Sequence, residues 1–260
     1  MNRPSIPFDR AADYYDATRG FPPGVETDAV GLFVQAGALS KRSRVLEIGV
    51  GTGRIALPLA PSVGAYIGID LSEPMLLRLR EKQTTETIHV VRGDATCLPF
   101  AGSAFDAVIA VHIFHLIPDW RAALAEVARA LRPGGVLMHG YGQRIGHDGL
   151  DEFIDTLTET ARQRSGIAPR RARSAFLDEA GWQPLGEELA HTFTSLRAPQ
   201  DIVEGFRARI WSHTWDMTDD ELAEAVARLQ NFIDSHYDEP REPRRVEQVF
   251  RVRAYRPPDV

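Results

Sequence analysis

The sequence is poor in cysteine, with Cys97 as the single one among 260 residues. One cysteine excludes an internal disulfide and a cysteine cluster for zinc, and we expect Cys97 to be a small, half-buried residue rather than a nucleophile. No run reaches the roughly eighteen apolar residues of a membrane span, and the first ten residues lack the apolar core of a signal peptide. We therefore expect a cytosolic protein.

The sequence also has fewer basic than acidic residues. The 30 lysines and arginines are outnumbered by 36 acidic residues, which gives a net charge of -6. Such a chain has no general electrostatic attraction to a polyanion, so no nucleic acid is expected as a partner. Its length is enough to bury one sizeable core, which predicts one α/β domain with room for an insertion.

The most informative stretch runs from residue 44 to 60, RVLEIGVGTGRIALPLA. An apolar strand is predicted over 45–48, and apolar residues at helical spacing resume at Ile55. Between them lies a glycine-rich turn formed by Gly49, Gly51 and Gly53. Glycines let the backbone pass close to a ligand, and the N-terminus of the next helix faces an anionic group. The stretch therefore predicts a nucleotide-type ligand.

Two residues of this stretch indicate which ligand it holds. The dinucleotide fingerprint requires a glycine or alanine three residues after Gly51. Arg54 stands at that position instead. A long side chain there does not support close packing of helix on strand. Glu47 places a carboxylate at the end of the strand, which suits an ammonium group better than a pyrophosphate. The pattern thus disfavours a nicotinamide dinucleotide.

At VLEIGVGTG the chain resembles the class I S-adenosylmethionine-dependent methyltransferases. It is most similar to the small-molecule, methyltransferase type 11-like group that includes the ubiquinone and menaquinone biosynthesis enzymes. The resemblance is specific over about 44–140. It implies a Rossmann-like, doubly wound, seven-stranded sheet whose last strand is antiparallel. It also implies S-adenosyl-L-methionine as the cofactor, S-adenosyl-L-homocysteine as its product and a small-molecule methyl acceptor.

Two acidic residues after later strands complete the predicted cofactor site. By the family pattern, Asp70 accepts the ribose hydroxyls; alternatively it caps the following helix, with Ser72 as a competing cap. The family places an acid equivalent to Asp94 at the adenine amino group, whereas a local Asx turn is the plain alternative. The predicted cofactor-binding set is Tyr14, Arg19, Glu47, Gly49, Gly51, Gly53, Asp70, Leu71, Asp94, Ala95 and Val111.

Aromatic and basic residues precede the first strand in FDRAADYYDATRGFPP. In related methyltransferases a segment like YDATRG closes over the cofactor, which by resemblance places Tyr14, Tyr15 and Arg19 near its methionine half. An aromatic face favours a sulfonium cation, and a guanidinium suits a carboxylate. The alternative is a hydrophobic arm that packs on the sheet.

The candidate bases are three histidines. His112 and His115 follow the apolar strand predicted at 105–111, at the strand end where open α/β sheets bind ligands. His213 lies between two tryptophans in a later segment. Imidazole titrates near neutral pH and suits proton removal from a hydroxyl or amine. The alternative for each is packing with a backbone hydrogen bond, and we rank the candidates His112, His115, His213.

The predicted organisation has four parts. An N-terminal arm covers 1–43, the cofactor-binding core 44–198, a helical lid insertion 199–243 and the final strand and tail 244–260. Within the core, LRPGG is expected to end a helix and turn into a strand at 136–140. Five arginines, at positions 162, 164, 170, 171 and 173, form a concentrated basic patch that we interpret as a solvated face.

The predicted reaction is in-line transfer of an activated methyl group to an oxygen, nitrogen or carbon atom of a small molecule. This chemistry requires positioning and exclusion of water but no metal and no covalent intermediate. Three alternatives stay open: an RNA or protein methyltransferase, a protein that binds the cofactor without turnover, and, least favoured, a nicotinamide oxidoreductase.

Overall fold

In the described part of the chain, seven strands join one sheet in the order β3-β2-β1-β4-β5-β7-β6. A computed structural model describes residues 5–146, 149–165 and 175–258. The first five strands pair in parallel, and the last strands are antiparallel. The strands are β1 (Arg44–Ile48), β2 (Ala65–Asp70), β3 (Ile88–Arg92), β4 (Phe105–Val111), β5 (Leu131–Ile145), β6 (Gln183–Arg197) and β7 (Arg244–Arg256). The Rossmann-like, mostly parallel seven-stranded sheet predicted from the resemblance is confirmed.

Helices connect these strands. Asp119 caps α5, because its side chain accepts from the Ala122 amide at 3.1 Å. The helices are α1 (Tyr15–Arg19), α2 (Val25–Ala36), α3 (Ala56–Leu59), α4 (Glu73–Lys82), α5 (Trp120–Ala130), α6 (Leu150–Ser165), α7 (Ala175–Glu179), α8 (Gln200–Arg207) and α9 (Asp219–His236).

Strand β4 shows why the sheet forms where it does. Its residues from Ala107 to Val111 are buried, and Val108 and Ile109 are fully buried although they point to opposite faces. A strand buried on both faces is typical of a parallel sheet covered by helices on each side. Each such side chain contributes about 1.5–3 kcal/mol by leaving water.

The fifth strand begins earlier than predicted. Leu131 already pairs with Phe105, and the regular ladder resumes where Val136 pairs with Ala107. The intervening residues shift the register, and Gly134 adopts a φ of +80° that favours glycine. LRPGG therefore forms an irregularity inside β5 rather than a separate turn before it.

The chain divides into two compact units. The first contains the described residues of Met1–Gly142, Arg173–His191 and Phe250–Val260, and the second those of Gln143–Ala172 and Thr192–Val249. The second unit has its own apolar core, in which Leu150 and Ile154 of α6 join Phe206, Leu229 and Ile233. It is larger than the insertion predicted at 199–243, because α6 shares this core.

The expected solvated arginine face is wrong for Arg162. This residue is buried, donates to the Thr158 hydroxyl at 2.9 Å and pairs with Asp155 at 3.1 Å. Arg164 pairs with Glu221 in the same unit. The arginines at 170, 171 and 173 lie outside the described residues.

No helix in the described part of the chain is long and apolar enough to cross a membrane. Those residues also contain no group of three or more histidine, cysteine or acidic side chains that could hold a metal ion.

Candidate active site

The glycine-rich turn connects β1 to α3 and is tied to the neighbouring strand. The amides of Gly49 and Val50 both donate to the Ile69 carbonyl, at 2.8 and 3.1 Å. Gly49 has a φ of +69°, and a Cβ there would lie 2.7 Å from the Ile113 side chain. A side chain at this position would therefore meet both backbone strain and a steric clash. Gly51 and Gly53 also adopt positive φ values.

The helix after the turn is shorter than the sequence suggests. Helix α3 is a single turn, and a 3-10 turn with Pro61 follows it at once. Proline supplies no amide donor to continue an α-helix, which limits the regular segment. The helix dipole that we expected to face an anionic group is accordingly small.

Asp70 joins the end of β2 to the glycine-rich turn. Its Oδ2 accepts from the Gly51 amide at 2.8 Å, and its Oδ1 accepts from the Ser72 amide at 2.9 Å. Burial raises the pKa of this carboxyl, and the backbone hydrogen bonds partly offset that rise. Ser72, not Asp70, caps α4 by accepting from the Met75 amide. Asp70 thus has a position at the turn that helix capping does not explain.

Glu47 is almost fully buried in β1, with 2% of its surface exposed. The Tyr66 hydroxyl donates to its Oε2 at 2.7 Å. Burial raises the pKa of Glu47 to about 8, despite the opposing effects of the Tyr66 bond and the Arg54 charge. At pH 7 the group is therefore mostly protonated, and an ammonium group beside it would favour the ionised form.

The N-terminal arm is anchored to the glycine-rich turn. The Thr52 hydroxyl donates to Asp16 at 2.5 Å, and Lys82 pairs with the other oxygen of Asp16 at 2.8 Å. Arg54 donates to the Arg19 carbonyl at 2.8 Å. The backbone carbonyl of Arg19 thus connects the arm to the turn.

Aromatic contacts extend this anchoring. The Arg54 guanidinium lies 4.9 Å from the centre of the Phe21 ring. Tyr15 packs edge-on against Phe8, whereas the Tyr14 hydroxyl is buried and has no hydrogen-bond partner among residues 5–146, 149–165 and 175–258. A buried unpaired hydroxyl costs about 1–3 kcal/mol, which a ligand oxygen or nitrogen would relieve.

Asp94 lies in the loop after β3 and accepts two bonds from Thr96, from its amide and its hydroxyl, both at 2.9 Å. This is the local Asx turn that the sequence left open. Ser5 of the arm also donates to Asp94, at 3.4 Å. Of the neighbouring predicted residues, Ala95 is buried and Leu71 half-buried.

His112 directly follows Val111 at the end of β4 and has a φ of +51°. The Gly142 amide donates to its Nε2 at 2.9 Å. Because Nε2 accepts this bond, a neutral His112 carries its proton on Nδ1. Nε2 cannot take a further proton without losing this hydrogen bond. The geometry therefore favours a structural role for His112 over a role as a base through Nε2.

A small cavity of about 20 Å³ lies beside the end of β4 and the part of β5 around Gly140, within the first unit. Two of the predicted histidines line it together with residues that sequence reasoning missed. The lining residues are His112, Ile113, Phe114, His115, His139, Tyr141 and Phe176. The available signal was a polar His139 within the apolar strand 136–140, two residues before Tyr141 and so on the same face.

Tyr141 is held by residues of two other strands. Its hydroxyl donates to Glu188 Oε2 at 2.9 Å, and Arg251 pairs with Oε1 of the same carboxylate at 3.0 Å. Burial, followed by the bond to Glu188, raises the pKa of Tyr141 to about 12. The phenol therefore stays protonated at neutral pH.

His213, the third predicted base, belongs to the second unit. It is buried, and its ring is nearly parallel to that of Trp211, with 6.0 Å between the ring centres. The Phe206 ring lies 5.6 Å away. These contacts fit the packing alternative, and a catalytic role for His213 stays a prediction.

Comparison with known proteins gives a family match over the core of the first unit. Residues 46–139 match the model of a methyltransferase domain. The uncharacterized methyltransferase YcgJ of Bacillus subtilis is 30% identical over 184 residues, which cover 69% of this chain and 68% of that protein. A fatty-acid O-methyltransferase of Mycolicibacterium smegmatis is 41% identical over 98 residues, 37% of this chain and about a third (36%) of the relative's length.

Solved structures share the fold. The YcgJ protein superposes with a TM-score of 0.60 at 19% identity, over 89% of this chain and 99% of the other. A Haemonchus contortus phosphoethanolamine N-methyltransferase, in complex with S-adenosyl-L-methionine, superposes with a TM-score of 0.53 at 19% identity, over 96% and 57%.

Proposed function

This chain belongs to the methyltransferase family, and from that premise we propose that it transfers the methyl group of S-adenosyl-L-methionine to a small-molecule acceptor. The observation that carries the proposal is the turn at Gly49, with Asp70 bonded to its Gly51 amide and the arm bonded to its Thr52 and Arg54 side chains. S-adenosyl-L-homocysteine is then the product.

The side chains around the turn fit such a cofactor. Glu47 would hold the ammonium group, Asp70 the ribose hydroxyls and Asp94 the adenine amino group. The buried Tyr14 hydroxyl still has a hydrogen to donate, as far as residues 5–146, 149–165 and 175–258 show. Glu47 lies in β1 two residues before Gly49, and a neighbouring ammonium group would favour its ionised form.

The bound cofactor supplies an activated methyl group, so the protein must position an acceptor atom in line with it and exclude water. We assign the arm to the exclusion of water, because it contacts the turn through Asp16, Arg19 and Phe21. If the acceptor must lose a proton, His112 and His115 are the candidate bases at the cavity. Nε2 of His112 already accepts a hydrogen bond from the Gly142 amide, so this atom is not available as a base.

Titration calorimetry with S-adenosyl-L-methionine, S-adenosyl-L-homocysteine and NAD tests the cofactor assignment. We expect micromolar binding of the sulfur ligands and a loss of at least about 100-fold in Asp70→Ala, in line with about 3 kcal/mol for two hydrogen bonds to a charged group. Asp70→Asn keeps one side-chain oxygen that can accept a hydrogen bond from a backbone amide. Comparing it with Asp70→Ala distinguishes loss of the ligand contact from loss of the hydrogen bonds that hold the turn. The exposed Asp238→Ala is the matched control.

The alternatives correspond to other outcomes. Binding of NAD with no sulfur ligand would contradict the methyltransferase proposal. Binding of the sulfur ligands without turnover on any acceptor would favour a non-catalytic binding protein. Tight RNA binding with a steep dependence on salt would favour a macromolecular substrate. Work in the cytosol stays a prediction from the sequence.

A further inference from the structure

Strand β1 contains one buried carboxyl among apolar side chains. Val45, Leu46 and Ile48 are fully buried, and Glu47 between them has only 2% of its surface exposed. Burial of a carboxyl costs free energy unless the group is hydrogen-bonded or neutral. The carboxyl of Glu47 therefore needs a partner inside the sheet.

Tyr66 of β2 is this partner. The strands pair in parallel with Glu47 opposite Gly68, which has no side chain, and Tyr66 lies two residues before Gly68 on the same face. The Tyr66 side chain is itself buried, and its hydroxyl donates to Oε2 of Glu47 at 2.7 Å. Two buried polar groups on neighbouring strands thus satisfy each other.

This bond makes the two oxygens of Glu47 different. Oε2 accepts from the phenol, whereas Oε1 accepts no hydrogen bond from residues 5–146, 149–165 and 175–258. Burial, followed by the neighbouring Glu47 carboxyl, raises the pKa of the Tyr66 phenol well above its usual value. The phenol therefore stays a donor at neutral pH. The proton of a neutral Glu47 then resides on Oε1.

The charged groups around Glu47 oppose one another. Burial has the largest effect and raises its pKa to about 8, whereas the Tyr66 bond and the Arg54 charge favour ionisation and Asp70 disfavours it. On the other side, β4 places the uncharged Ile109 opposite Glu47. A cation next to Oε1 would favour loss of the proton that this oxygen carries at pH 7.

We propose that Tyr66 is a positioning residue for the methyl donor, and that the ammonium group of the donor replaces a proton on Oε1 of Glu47. The inference deepens the proposed function and rests on it for the position of the ammonium group. The Tyr66 bond holds Oε2, so Oε1 is the oxygen that accepts from the ligand. The displaced proton passes to the solvent, and no covalent bond of the ligand changes.

The test compares Tyr66→Phe, which removes one oxygen and keeps the ring, with the native full-length protein. Calorimetry at pH 7 uses S-adenosyl-L-homocysteine and its deamino analogue, which keeps the adenosyl group and the carboxylate. We expect Tyr66→Phe to weaken S-adenosyl-L-homocysteine at least about fivefold and the analogue less than about twofold. Tyr255→Phe removes another buried phenol of the first unit and should change neither affinity.

The pH profile supplies a readout that a merely structural role would not move. The affinity of the native protein for S-adenosyl-L-homocysteine should rise with pH up to about 8, because the free carboxyl loses its proton there. Tyr66→Phe should move this rise to higher pH, since the ionised carboxylate has lost a donor. In a Glu47→Gln background, Tyr66→Phe should cause no further loss of affinity.

A proton count on the native protein alone completes the test. Binding enthalpies in two buffers of different ionisation enthalpy should show release of more than about half a proton with S-adenosyl-L-homocysteine at pH 7 and none with the analogue. Equal losses for both ligands in Tyr66→Phe, an unmoved pH profile, or no proton release would overturn the inference. Failure of the native protein to bind S-adenosyl-L-homocysteine would instead contradict the proposed function, so the two failures are distinguishable.

Discussion

The two halves of the candidate active site are built differently. On the side of β1 and β2, Asp70 and the amides of Gly49 and Gly51 connect one loop to the next strand within about twenty residues. On the side of β4 and β5, the wall combines His112 with Tyr141, which depends on Glu188 and Arg251 from distant strands. Backbone contacts thus define the first half, and side chains define the second.

This difference explains what could be predicted from the sequence. A backbone turn needs particular residues at fixed spacing, so Gly49 to Asp70 predicted both the turn and its acidic partner. The buried runs, such as Phe105–Val111, predicted the parallel sheet because burial on both faces requires continuous apolar residues.

The rest depended on contacts between residues far apart in sequence. Nothing local indicated that Tyr141 would meet Glu188, that Arg162 would be buried, or that α6 would share the core of the predicted insertion. The single-turn length of α3 was missed because its apolar spacing continues through Pro58 and Pro61.

Gly49→Ala should produce a large effect and disrupt the first half of the site. We expect a loss of about 3 kcal/mol in the free energy of unfolding, from a strained positive φ plus displacement of Ile113. Gly24→Ala is a matched control, because Gly24 has a φ of +91° but nothing within 4 Å of an added Cβ. Urea unfolding of both variants measures the difference, and equal losses would contradict the steric part of the argument.

Glu47→Gln tests the protonation state of the buried Glu47 carboxyl through the pH dependence of stability. The folded-state pKa of about 8 lies above the unfolded value of 4.5, so the folded protein binds the extra proton between these values. The contribution of Glu47 to stability is present below pH 4.5 and is lost as pH rises through 8, by about 1.4 kcal/mol per unit in this window.

We compare the free energy of unfolding of the native protein with that of Glu47→Gln. The native value minus the variant value should decrease as pH rises from 4.5 to 8. Denaturant titrations at several pH values measure it, with the exposed Glu224→Gln as the control. A difference that does not change with pH would show that Glu47 is ionised in the folded protein.

Arg54→Ala should have a smaller effect, confined to the arm. The variant loses the bond to the Arg19 carbonyl and the contact with Phe21, about 1 kcal/mol in total. We expect faster hydrogen exchange across residues 15–21. Arg78→Ala removes an exposed ion pair between α4 and Asp13 of the same arm and should change exchange less. A larger change in Arg78→Ala would reverse the ranking of these contacts.

We propose that the methyl donor binds on the β1 and β2 side of the site, separately from the cavity on the β4 and β5 side. Calorimetric titration of S-adenosyl-L-homocysteine into native protein, Asp70→Ala and Tyr141→Phe tests this placement. We predict micromolar binding to the native protein and to Tyr141→Phe, and at least about a 100-fold loss in Asp70→Ala. Unchanged affinity in Asp70→Ala, or loss of binding in Tyr141→Phe alone, would contradict the account.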